Sequence, residues 1–99
     1  MSARIAIDRG LIAEFCRRNR IRRLSLFGSV LRDDFGPESD VDVLVEFDPD
    51  HTPGLAFFAM QDELSKIVGH RVDLNTPGFL SPYFRDQVIA AADILYDAA

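Results

Sequence analysis

The chain has 99 residues, 47% of them hydrophobic and 27% charged, a composition that supports one buried core and argues against disorder or a second module of ordinary size. Its formal charge of −5, from 16 acidic and 11 basic residues, weighs against a sequence-independent grip on a nucleic-acid backbone as the main task. The single cysteine, Cys16, excludes an intrachain disulfide framework, and no apolar run approaches the length needed to span a bilayer.

Met1 to Asp8 carry no apolar stretch of the signal-peptide kind, so a reducing cytoplasm is the expected location and residues 1–99 are expected to form a single domain. Leu11, Ile12, Phe15 and Cys16 then recur at helical spacing, which predicts a helix from Asp8, as N-cap, to Arg20. Arg17, Arg18, Arg20, Arg22 and Arg23 crowd its C-terminal end, where cations suit the helix dipole and a partner-binding role is the alternative. Leu24 to Phe27 reads as a short buried strand broken by Gly28, with Ser29 as the cap of a brief helix through Val30, Leu31 and Arg32. Phe35-Gly36-Pro37 ends that helix.

Val41, Val43, Val45 and Phe47 alternate with Asp40, Asp42, Leu44 and Glu46, a period of two in β-branched residues that predicts a strand closed by Asp48-Pro49-Asp50. Leu55 to Val68 is helical in pattern, with Phe57, Phe58 and Met60 expected in the core and Gly69 as the stop. Arg71 to Asn75 reads as a third strand, bounded by Gly69 and the Thr76-Pro77-Gly78 turn. Ser81-Pro82 opens a closing helix whose buried stripe is Phe84, Val88, Ala91, Ala92, Leu95 and Tyr96. This alternation of helix and strand predicts helices packed against a small sheet, without fixing strand order or direction.

Asp40 and Asp42 leave the same face of their strand, a few ångströms apart. Two like charges at roughly 4 Å repel by about 4 kcal/mol at an effective dielectric near 20, so without a positive partner one of them should hold a proton. A divalent cation removes that penalty, and an all-oxygen donor set suits Mg²⁺ completed by waters and phosphates. A polar edge on a half-exposed strand would give the same two letters. Gly28-Ser29 lies upstream at a strand-to-helix junction, where a residue without a side chain and unpaired N–H groups let phosphate approach. Asp73 interrupts an apolar strand between Val72 and Leu74, so it either caps a polar neighbour or faces the same site as Asp40 and Asp42. In the second case the three carboxylates could share two metal ions, with Asp73 accepting a proton from an attacking hydroxyl. His51 and His70 have no metal-ligand spacing with each other or with Cys16. An EF-hand over Asp40 to Asp50 fails because its sixth position is Val45.

The run from Gly28-Ser29 through Arg32 to Ser39-Asp40-Val41-Asp42-Val43-Leu44-Val45 resembles the signature of the minimal nucleotidyltransferases of the DNA polymerase beta superfamily. Val72-Asp73-Leu74 and Ser81-Pro82-Tyr83 extend that resemblance over nearly the whole chain. The resemblance implies an α/β (α+β) fold with a small mixed sheet, phosphate binding by Gly28 and Ser29, and Mg²⁺ ligation by Asp40 and Asp42, with Asp73 as third catalytic carboxylate and metal ligand. Arg32 would contact a phosphate or the acceptor, or else brace the loop through Asp34 or Asp40. Asp33-Asp34 departs from relatives that carry a small residue there, and adds negative charge beside the phosphates.

The resemblance also implies transfer of AMP from ATP onto an acceptor hydroxyl, a tyrosine of a separate helical HEPN-type toxin, with this chain as antitoxin. Such a pairing leaves room for homo- or hetero-oligomers. Two rival readings stay open: the catalytic subunit of a two-component enzyme acting on a small molecule such as an aminoglycoside, and a non-catalytic module that neutralises by contact.

Overall fold

The computed structural model describes residues 7–32, 35–36 and 38–98; the expectations resting on residues 1–6, on Asp33-Asp34 and on Pro37 lie outside them. Asp8 caps α1 (Arg9–Arg18), its carboxylate accepting hydrogen bonds from the N–H groups of Gly10 at 2.9 Å and Leu11 at 3.1 Å. β1 (Ile21–Phe27) leads through a 3-10 turn (Gly28–Leu31) to β2 (Val41–Phe47), and α2 (Ala56–Val68) ends on Gly69 in the left-handed conformation, as its missing side chain permits. β3 (Val72–Asn75), a second 3-10 turn (Pro77–Phe79), α3 (Arg85–Ala91) and β4 (Asp93–Asp97) complete the described chain.

The four strands form one mixed sheet in the order β3-β2-β1-β4, with β2 and β3 parallel and the other pairs antiparallel. Period-two alternation puts Leu24, Leu26, Val41, Val43, Val45, Val72 and Leu74 into one core cluster, which Ile12, Phe15 and Cys16 of α1 and Met60, Leu64 and Val68 of α2 complete. Burial pushes the Cys16 thiol up to about 12, which makes it a packing group and not a reactive one. Ser25 and Leu44, opposite each other in register, are also buried and belong to the other face, which is therefore partly covered. There α3 packs against β1 and the Pro77–Phe79 turn against β2.

Three expectations are corrected. The closing helix stops at Ala91, Ala92 is extended (φ −64°, ψ 145°), and Leu95 and Tyr96 lie in a fourth strand that fills the free edge of β1. Phe84 and Phe58 are 60% and 67% exposed, so neither belongs to the core, whereas Met60 does and Phe57 packs partly against it. Ser29 lies inside the first 3-10 turn, whose cap position is Phe27.

The arginine group at the end of α1 meets acids from neighbouring strands. Arg20 pairs with Asp48 and Asp50, Arg22 and Arg23 with Glu46, Arg23 also with Asp97, and Arg18 with Glu63 of α2. Each pair is at least partly solvated and worth at most about 1 kcal/mol. The pairs of Arg22 and Arg23 tie β1 to β2 and β4, and that of Arg18 ties α1 to α2.

Candidate active site

β1 and β2 run antiparallel with Phe27 opposite Asp42, and β2 and β3 run parallel with Asp42 opposite Asp73. Residues opposite one another in register share a face, so one line across three strands carries Phe27, Asp42 and Asp73 on the side away from α1 and α2. The burial pattern of β3 agrees: Val72 and Leu74 are buried and Asp73 between them is exposed. Of the two readings of Asp73, the one that turns it toward Asp42 fits, and no charge is sunk into the core.

Gly28 follows Phe27 directly and bends the chain with φ +76°, a conformation that L side chains rarely adopt. A Cβ built there would lie 3.2 Å from Cγ of Asp42 and would overlap its Oδ2. Glycine is thus required twice, by the backbone angle and by the carboxylate packed against it. Ser29 comes next, partly buried, at the start of a helical turn whose first N–H groups have no partner within the turn.

The charges at this spot are unbalanced. Partial burial pushes the Asp42 carboxyl above its ordinary value of 3.8, and the Asp73 and then the Asp40 carboxylates push it further, while Arg32 opposes them. Asp40 immediately precedes β2 and is partly neutralised, since Arg71 Nε donates to its Oδ1 at 2.5 Å. Sequence reasoning missed Arg71. Its position immediately before β3, two residues ahead of Asp73, was the available signal.

Among the described residues, no group of three or more His, Cys, Asp or Glu side chains is gathered tightly enough to hold a metal ion by itself. The donor set nevertheless suits a hard cation of the magnesium kind, which takes one or two carboxylates and completes its shell with water and phosphate oxygens. Burial is the larger cause of the raised Asp42 pKa, and the smaller part, repulsion from Asp73 and Asp40, is free energy that such a cation would recover. An aromatic cavity of about 340 Å³ between Phe47, Phe57, Phe58 and Phe79 lies toward the other end of β2 from Asp42 and takes no part in this arrangement.

A family model described as a nucleotidyltransferase domain matches residues 9–94. A Methanocaldococcus jannaschii protein named "Putative protein adenylyltransferase" is 35% identical over 80 residues, which span 78% of this chain and 76% of that protein. A solved structure described as a "putative minimal nucleotidyltransferase" superposes with a TM-score of 0.70 at 33% identity, over 85% of each chain. A second, of the tri-AMPylated Shewanella oneidensis HEPN toxin in complex with MNT antitoxin, gives 0.63 at 23% identity over 90% of this chain and 69% of that one, a likeness of fold.

Proposed function

The chain belongs to the nucleotidyltransferase family, and we propose that it transfers AMP from ATP, with Mg²⁺, onto a tyrosine hydroxyl of a HEPN-type toxin and so acts as its antitoxin. The observation that carries this reading is the placement of Asp42 between the Gly28 bend on one side and Asp73 on the other. A polyphosphate and a cluster of carboxylates are brought together only if something positive stands between them, and that is the requirement of phosphoryl-group chemistry.

Each residue has a part in that reading. Gly28 and Ser29 receive the phosphates, because the bend admits an anion to within reach of backbone N–H groups. Asp40, Asp42 and Asp73 would hold magnesium, which when bound offsets the charge of the triphosphate and lowers the pKa of the attacking hydroxyl. Asp73, exposed on its strand, takes the proton of the acceptor hydroxyl as that oxygen attacks the α-phosphorus. The bond from the α-phosphorus to the bridging oxygen breaks, and pyrophosphate leaves.

The choice of AMP draws on the M. jannaschii relative's name, and the choice of acceptor on the S. oneidensis complex, whose toxin carries AMP groups. Arg71 pairs with Asp40 and would help to orient its carboxylate. Among the described residues no helix is long and apolar enough to cross a membrane, and we place the reaction in the cytoplasm. The test is co-purification with bound proteins followed by incubation with ATP and Mg²⁺ and intact-mass analysis. Gain of one or more AMP units on a helical partner is expected; AMP found only on an added small molecule, or on nothing, contradicts the reading.

A further inference from the structure

Gly28 borders a second feature that the proposed chemistry leaves unused. A cavity of about 220 Å³ opens between the first 3-10 turn and α3, lined by Phe27, Gly28, Leu31 and Arg32 on one side and by Gln87, Val88 and Ala91 on the other. It is smaller than the clefts of roughly 300–1,000 Å³ that enclose drug-sized ligands, so it is sized for one ring system and not for a whole nucleotide. Its walls of Phe27, Leu31, Val88 and Ala91 are apolar, which suits a flat ring and disfavours a phosphate. The neutral polar side chain on its border is Gln87, on α3, which makes no side-chain hydrogen bond to any described residue.

We infer that this slot holds the nucleobase of the triphosphate and that Gln87 is a specificity-determining residue that selects adenine over guanine. The inference rests on the proposed nucleotide chemistry, since it takes the Gly28 bend as the phosphate site. Gly28 contributes to both, lying against the Asp42 carboxylate and lining the slot, so a ligand with its phosphates at the bend would have the slot next to it. A glutamine amide offers one acceptor and a pair of donors side by side. That pattern matches the N6 amino group and N7 of adenine bidentately, whereas guanine presents two acceptors, O6 and N7, and would set its O6 against the amide oxygen. Arginine, with donors only, has the reverse preference.

The experiment is competition of ATP and GTP, in Mg²⁺, against a fluorescent ATP analogue bound to the wild-type chain and to Gln87→Ala and Gln87→Arg, alongside α-phosphate label transfer from each nucleotide. Gln87 is exposed on α3, and circular dichroism of each variant checks that it folds before its binding is compared. Wild type is expected to bind ATP at least about tenfold more tightly than GTP, within the range that one bidentate base contact provides. Gln87→Ala should abolish that ratio by weakening ATP, raising KM with kcat within about a factor of two, and Gln87→Arg should turn the preference toward GTP. Equal binding of the two nucleotides by wild type, or a ratio unchanged in Gln87→Ala, overturns the inference. In the second case continued label transfer would leave the proposed reaction standing. ATP-selective binding lost in Gln87→Ala, without transfer to any acceptor, would instead sink the reaction and keep the base slot.

Discussion

Asp42 is the residue on which most of the site's physics converges. Its folded pKa lies above the ordinary carboxylate value, so the folded chain binds that proton more tightly than the unfolded chain does. The resulting stability is therefore present at low pH and is lost as pH rises through the folded pKa. Asp42→Asn removes the penalty at every pH. In EDTA at pH 7 the variant should melt above the parent, with about 4–8 °C for each 1 kcal/mol recovered in a domain of this size. The gap should close as pH falls below 3.8. A parent and variant that melt together across the whole range would show that neither burial nor repulsion penalises the Asp42 charge. The same variant should lose nucleotide transfer by a factor on the order of 10²–10³, the scale for removing one group that stabilises transition-state charge.

The neighbouring glycine gives a second expectation at this scale. Gly28→Ala forces a Cβ into the Asp42 carboxylate at a backbone angle of +76°, and should cost about 1–3 kcal/mol in urea unfolding. It should also reduce transfer, by displacing the carboxylate. An alanine variant with parental stability and activity would mean that the bend relaxes freely.

Among the elements, β3 carries Asp73 at the edge of the sheet, and α2 completes that edge. Gln61 Oε1 accepts from Leu74 N at 3.0 Å and Ser65 Oγ from Val72 N at 3.1 Å, so side chains of the helix take the place of a missing fifth strand. An unpaired buried N–H costs about 1–3 kcal/mol. Gln61→Leu with Ser65→Ala should accordingly speed amide exchange at Val72 and Leu74 by about tenfold or more, while Leu24 and Leu26 in the sheet centre keep their protection. Unchanged exchange at Val72 and Leu74 would remove α2 from any role in positioning Asp73.

Most elements were legible for a physical reason that can be named in each case. The Val41, Val43, Val45 alternation has only one comfortable backbone, and Asp8 and Gly69 mark helix ends by their own chemistry. The strand formed by Asp93–Asp97 was not legible, because Val88, Ala91, Ala92 and Leu95 also fall at helical spacing. What decides against that helix is the open edge of β1, a non-local demand that Ile94 and Tyr96 satisfy in strand form. For the site, the sharing of a face by Asp40 and Asp42 followed from period two, but the meeting of Asp42 with Asp73 required the strand order. Arg71 and Gln87 stayed hidden because each gains its meaning only from a neighbour distant in sequence.

For the molecule as a whole, the formal charge of −5 is distributed with a purpose that its total conceals. Arg18, Arg20, Arg22 and Arg23 spend their charge on Glu46, Asp48, Asp50, Asp97 and Glu63, holding the frame together. Among the described residues, Arg71 and Arg32 are the cations set against the carboxylates of the site, by hydrogen bonding and by charge respectively. A sheet braced by ion pairs at one end thus gathers uncompensated negative charge at the other, where the proposed reaction would place a metal-bound triphosphate. The most direct test is label transfer with ATP carrying ³²P at either the α- or the γ-phosphate, in Mg²⁺ with partner protein present. Transfer of the α-label alone is the expected result; transfer of the γ-label would make the chain a kinase and contradict the account.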